Sequence, residues 1–122
     1  MDHSQEQKRR ARRKRVLRVR KKLHGTAVRP RLTVLKTQTH LYAQLIDDEK
    51  GVTLAGIGTL SKAIRQEFGK KSKEAARAVG LHIADLAKKL GVESVLFDRG
   101  PYKYHGLVAE LATSARSAGL QF

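Results

Sequence analysis

The chain has 122 residues, which predicts one domain around one core, and its formal net charge of +15 makes a polyanion the expected partner. It contains no cysteine, so disulfides and thiolate metal sites are excluded. No apolar run approaches the roughly 18 residues of a membrane span. The N-terminus lacks the apolar centre of a secretory signal, and Asp2, Glu6 and the missing apolar stripe argue against a mitochondrial presequence.

Residues 8–22 read KRRARRKRVLRVRKK, and eleven of these fifteen are Lys or Arg. Half of the positive residues, 13 of 26, precede Leu32, against two acids, so the charge is concentrated in an arm. As a helix this arm places like charges at i,i+4, such as Arg9 with Arg13 and Arg10 with Lys14, which repel. Val16, Leu17, Val19 and Leu23 give it only a weak apolar side. The expectation is an arm, residues 1–24, that is disordered when free and becomes helical or extended once phosphates screen it. A localisation or solubility tag is the plainer alternative.

The body, residues 25–122, begins after His24-Gly25-Thr26. Pro30 forces an extended entry, so the first strand is Leu32 to Lys36. A polar turn, Thr37-Gln38-Thr39, precedes a second strand, His40 to Asp47, with Leu41, Ala43 and Leu45 on one face and Tyr42, Gln44 and Ile46 on the other. Asp48-Glu49-Lys50-Gly51 supplies turn chemistry, and Val52 to Thr59 is a third strand in which Gly56 and Gly58 mark a bulge or a close approach. These three read as an antiparallel meander. Leu60 to Lys71 is a short helix or a basic loop; its Lys62, Arg65, Lys70 and Lys71 are a weaker phosphate-contact candidate.

Ser72 to Leu90 carries the strongest helix signal. Ser72 is the N-cap, Glu74 lies in the first turn, Lys88 and Lys89 in the last, and Gly91 just beyond. Its stripe is Ala75, Val79, Ile83, Leu86 and Leu90, with Gly80 expected to pack closely on the sheet. His82, beside the stripe, has no partner at metal-ligand spacing and reads as a packed or half-exposed residue. Ser94 to Phe97 reads as a buried strand. A last helix carries Leu107, Val108, Leu111, Ala112 and Ala115, and is stopped by Gly119 with Leu120 closing a Schellman contact.

Between that last strand and helix lies Phe97-Asp98-Arg99-Gly100-Pro101-Tyr102-Lys103-Tyr104-His105-Gly106, which holds half of the chain's Phe and Tyr. Loops at the carboxyl ends of strands are where α/β folds place ligand contacts. Two Tyr with Arg, Lys and His suit base stacking and phosphate contact. A turn whose tyrosines cover a helix end accounts for the same residues. Asp47, Asp48 and Asp98 are the only carboxylates placed for a two-metal nuclease, but the first strand carries no acid, and turn roles for Asp47 and Asp48 and a salt bridge for Asp98 are simpler. No Ser lies in a Gly-x-Ser-x-Gly elbow.

FDRGPYKYHGLVAELATSARSAGLQF closely resembles the C-terminus of the bacterial large-subunit ribosomal protein eighteen family. RPRLTVLKTQTHLYAQLIDDEKG resembles its first two strands, and the arm stands where that family has one, so the resemblance spans essentially the whole chain. It implies an α/β fold: a small mixed sheet of an antiparallel three-strand meander plus a parallel strand, two packed helices, ribonuclease-H-like connectivity, and the basic N-terminal arm. It implies a structural role, not an enzyme: binding 5S ribosomal RNA and helping to attach it to 23S ribosomal RNA in the central protuberance, near large-subunit ribosomal protein five. The place is the cytoplasmic ribosome, with no cofactor, metal, membrane or small-molecule substrate. Carried over by position, the implied RNA contacts are Arg9, Arg10, Arg12, Arg13, Lys14, Arg15, Arg18, Arg20, Lys21 and Lys22 in the arm, with Arg29 and Arg31 at the first strand. Thr37 and His40 follow at the first turn, then Arg99, Tyr102, Tyr104 and His105 in the late loop. Two positions depart from the family pattern: Pro101, where Gly or a bulkier residue is expected, and Leu107, where a basic residue is common.

Overall fold

The computed structural model describes residues 3–20, 24–61, 64 and 72–122. Its elements, in chain order, are α1 (His3–Arg20), β1 (Arg31–Lys36), β2 (Leu41–Asp47), β3 (Val52–Gly58), α2 (Lys73–Lys89), β4 (Leu96–Asp98) and α3 (Gly106–Ser117). The four strands form one sheet in the order β3-β2-β1-β4. β1 runs antiparallel to β2 and β2 antiparallel to β3, while β4 lies parallel to β1, with Leu32 opposite Phe97. The meander, the parallel fourth strand and the two helices are those expected. The candidate cations Lys62, Arg65, Lys70 and Lys71 lie outside the described residues.

Alternation in β1 and β2 builds the core. Leu32, Val34, Leu41, Ala43 and Leu45 are buried on one face, and register sets Leu32 opposite Leu45 and Val34 opposite Ala43. α2 covers that face with Ala76, Val79 and Ile83, and α3 with Val108, Leu111 and Ala115. Each large aliphatic side chain so removed from water contributes about 1.5–3 kcal/mol. The stripe on α2 drifts from its expected course at the end: Leu86 is half-buried and Leu90 is 49% exposed, while Ala84 and Ala87 face inward. No described helix is long and apolar enough to cross a membrane.

Helix ends follow from local chemistry. The Ser72 hydroxyl accepts the Ala75 N–H and caps α2. Both helices close in Schellman turns. Gly91 (φ +75°) passes the chain to Val92, whose N–H reaches the Ala87 carbonyl; Gly119 (φ +104°) does the same for Leu120 and Ala115. The residues after α3 then turn back along the run into β4, with Val95 N–H donating to the Gln121 carbonyl at 3.0 Å.

Gly25, Gly58 and Gly80 each permit a close approach. At Gly58 an added Cβ would meet the Tyr42 ring, whereas the register irregularity in β3 falls at Leu54, between Thr53 and Ala55. Gly80 packs on α3, not on the sheet as expected: a Cβ there would collide with the Leu111 carbonyl oxygen and with Ser114 Oγ. That Ser114 hydroxyl donates to the Arg77 carbonyl at 2.6 Å, so the helices touch backbone to backbone. Gly80→Ala gains about 1 kcal/mol of helix propensity but overpacks this crossing. Overpacking costs about 1–3 kcal/mol, so the expected net loss is up to about 2 kcal/mol, read from urea denaturation.

One ionic cluster joins remote stretches. The Arg31 guanidinium, on a residue only 7% exposed, donates from Nε and Nη2 to both Asp48 oxygens at 3.0 Å and from Nη1 to Asp98 Oδ2 at 2.7 Å. Asp48 Oδ2 also accepts the Gly25 N–H at 2.7 Å, and Asp98 Oδ1 the Gly100 N–H at 2.8 Å. The Arg31 hydrogen bonds, assisted by the Gly25 N–H, hold the Asp48 carboxyl down at about 2. An unfolded aspartate titrates at about 3.9. The contribution of Asp48 is therefore complete above the ordinary carboxylate range and is lost as pH falls toward about 2. The gap in urea midpoint between wild type and Asp48→Asn should be wide at neutral pH and close on acidification; a gap independent of pH would contradict the assignment.

Candidate nucleic-acid interface

The arm forms α1, which Arg, Lys, Ala and Leu favour by propensity despite the repulsion between like charges. Lys8, Arg9, Arg10, Arg12, Arg13 and Lys14 are all exposed, with no apolar face between them. Arg12 lines a groove on the open face of the sheet with Thr33, Leu35, Gln44, Ile46, Pro101 and Tyr102. The side chains of Arg15, Arg18 and Arg20, and all of Lys21 and Lys22, lie outside the described residues.

The strand ends divide the remaining candidates. Arg29 is exposed before β1, in a turn closed by Thr26 N–H donating to the Arg29 carbonyl and Arg29 N–H donating to Thr26 Oγ1. Arg31 beside it faces inward to Asp48 and Asp98, and its buried guanidinium is occupied by carboxylates. Its place is structural: a phosphate would have to displace two aspartates. Leaving Asp98, wholly buried, without this partner is costly. Arg31→Met should destabilise the fold by about 3–5 kcal/mol in urea denaturation. Unchanged stability with weakened RNA binding would instead restore Arg31 as a direct contact.

At the other end of the sheet, roughly 17 Å along β1, several candidates converge. Thr37 and His40 close the β1–β2 turn: Thr37 N–H donates to the His40 carbonyl, and His40 N–H donates to Thr37 Oγ1. His40 Nδ1 lies 2.8 Å from the buried Thr59 Oγ1, which also accepts the Leu41 N–H. The late loop comes to the same end. Tyr102 accepts the Lys36 N–H and donates to the Lys36 carbonyl, both at 3.0 Å, with Lys36 Nζ 5.3 Å from its ring. Its hydroxyl is therefore a brace between loop and strand. Arg99 is exposed and donates from Nη1 to the Tyr102 carbonyl at 2.8 Å.

The second half of the loop points elsewhere. Tyr104 is 44% exposed, meets Phe97 edge-on at 5.9 Å, and accepts from Arg116 Nη1 at 2.9 Å. His105 is exposed at the N-cap of α3, where its side chain makes no capping bond. Reading the sequence missed Lys36, Arg116 and Phe122 as members of this surface. Lys36 follows directly from strand alternation into the turn; the other two carry no local signal.

The aspartates weighed for metal chemistry have structural work. Asp47 Oδ1 accepts the Glu49 and Lys50 N–H groups of its own turn, and Asp48 and Asp98 hold Arg31. Among the described residues no group of three His, Cys, Asp or Glu is placed to hold a metal ion.

The chain matches the family model for ribosomal L18 of archaea, bacteria, mitochondria and chloroplasts over residues 6–122. It is similar to the large ribosomal subunit protein uL18 of Protochlamydia amoebophila, 56% identical over 110 residues and covering 89% of each chain. Its counterpart in Chlamydia pneumoniae is 53% identical over 111 residues, 90% of each chain, and that of Chlamydia felis 51% identical over 110 residues, 89% of each.

Proposed function

Because the chain belongs to the ribosomal L18 family, and is thereby a structural component of the large ribosomal subunit and not an enzyme, we propose that it binds 5S ribosomal RNA. In this reading it helps attach that RNA to 23S ribosomal RNA in the central protuberance of the cytoplasmic ribosome, beside large-subunit ribosomal protein five. The observation that carries the proposal is the division of charge from shape. Six cations of α1, from Lys8 to Lys14, are exposed along one short stretch of helix. The candidates at the far end of β1 are instead fixed by hydrogen bonds to main chain and to Thr59.

The arm supplies affinity by displacing counterions from phosphates. The body supplies register, since backbone contacts position a protein while loops and shape specify the site. A-form helices hide base edges in a deep groove, so unpaired bases and ribose 2′-hydroxyls are the natural targets of Arg99, Tyr104 and His105. Arg29 and the arm residues Arg9 to Lys22 act as phosphate contacts. Tyr102 and Thr37 act chiefly by shaping the loops that present the others.

Neutralising ~6–10 phosphates lowers affinity by ~10³–10⁵ between 50 and 200 mM salt. Deleting residues 1–22 should remove most of that slope. It should leave the melting transition of the body intact, because the Gly25–Asp48 hydrogen bond lies beyond the cut. The deciding measurement is competition at physiological salt. The full chain should prefer 5S RNA over bulk RNA and DNA; equal affinity for all three would leave only a general nucleic-acid chaperone.

A further inference from the structure

Arg116 stands in the last turn of α3, twelve residues from the loop it touches. Its Nη1 donates to the Tyr104 hydroxyl at 2.9 Å, and its Nε donates to the Phe122 main-chain oxygen at 3.2 Å. Its guanidinium carbon lies 4.4 Å from the Phe122 ring centroid and 5.9 Å from that of Tyr104. Phe122 in turn stacks on Phe97 at 5.3 Å and 19°, and Phe97 meets Tyr104 edge-on at 88°. The four side chains therefore close a circuit of contacts that joins β4, the late loop, α3 and the residues after it.

The circuit restrains a residue that otherwise has little to hold it. Tyr104 is 44% exposed, and the flanking Gly106 and His105 offer no side-chain bond to α3. The first half of the loop is braced independently, by Tyr102 on Lys36. An exposed ring that must be immobilised on binding loses affinity to the entropy of its rotamers, and prior restraint removes that loss. A planar guanidinium suits the task, because it donates in two fixed directions while packing flat on aromatic rings.

We infer that Arg116 is a positioning residue for RNA recognition: it fixes the Tyr104 ring at the surface in the orientation in which an unpaired base or a ribose docks on it. The inference rests on the RNA-binding function proposed above. It names a residue outside the loop whose effect travels through Tyr104 rather than through its own contact with RNA.

The test is a double-mutant cycle on the full chain, with 5S RNA as probe at fixed salt. Arg116→Met and Tyr104→Phe should each weaken binding by about fivefold, the scale of one ordered side chain. The double variant should be no weaker than the worse single one. Losses that multiply, or wild-type affinity in Arg116→Met, would overturn the inference. Arg116→Lys keeps the charge without the planar fork, so it should bind as weakly as Arg116→Met; full rescue would mean that RNA reads the charge directly, and would also overturn it. Should Arg116→Met lower the melting temperature, the cycle is run with Arg116→Lys instead. Failure of wild type to prefer 5S RNA over bulk RNA is a separate result, read before any variant, and it removes the proposed function itself.

Discussion

A single buried guanidinium sets the geometry from which this molecule presents its surface. Arg31 opens β1 and binds Asp48 in the β2–β3 turn and Asp98 at the end of β4, while these carboxylates also hold the backbone at Gly25 and Gly100. Three stretches far apart in sequence, residues 25–31, 48 and 98–100, are thus pinned to one charge. Gly25 is where the arm enters the body, and Gly100 is where the late loop leaves β4. Moving Asp98 away would separate a wholly buried carboxylate from this guanidinium, at a cost of several kcal/mol. The cluster therefore holds both the exit of the arm and the root of the loop in register with the sheet.

From that root the loop is stiffened in two steps of different character. The Tyr102 hydroxyl replaces a missing strand partner at Lys36, taking the N–H and giving to the carbonyl just where β1 ends. Beyond it, Tyr104 is held from the side by aromatic packing and a guanidinium. The helices beneath transmit little freedom, because α2 and α3 meet at Gly80 with backbone in contact and Ser114 bonded across. A rigid base under short, anchored loops is what shape recognition of a folded RNA requires.

Much of this was legible in the chain. Period-two alternation in residues 41–46 placed Leu41, Ala43 and Leu45 inside, and Ser72, Gly91 and Gly119 marked the helix ends. The salt bridge expected of Asp98 is made, to Arg31. What escaped was information held in contacts between distant residues. Arg31 has the composition of a phosphate ligand, and only the turn carrying Asp48 and the parallel pairing of β4 reveal that its charge is met inside the protein. The propensity cost of Gly80 in a helix interior points to a compensating close approach, but which layer it meets depends on how α3 crosses α2. Phe122 and Arg116 join Tyr104 through the return of the chain after Gly119, which no local pattern encodes.

Charge is shared unequally between the two parts, and the inequality has a consequence. Residues 1–24 hold eleven of the 26 cations with two of the 11 acids, a net +9, and the larger body carries only +6. Within the body several cations are matched: Arg31 to Asp48 and Asp98, Arg77 to Glu110, Lys89 to Asp85. Under the proposed function, most of the salt-sensitive affinity then belongs to the arm, which reads no sequence. Discrimination belongs to hydrogen bonds and ring contacts on the body, which salt screens far less at contact distance. Rising ionic strength should strip unspecific RNA from such a protein sooner than its fitted partner. An arm attached to a body that kept equal charge on every face would have no such separation, and its grip on any polyanion would weaken in step.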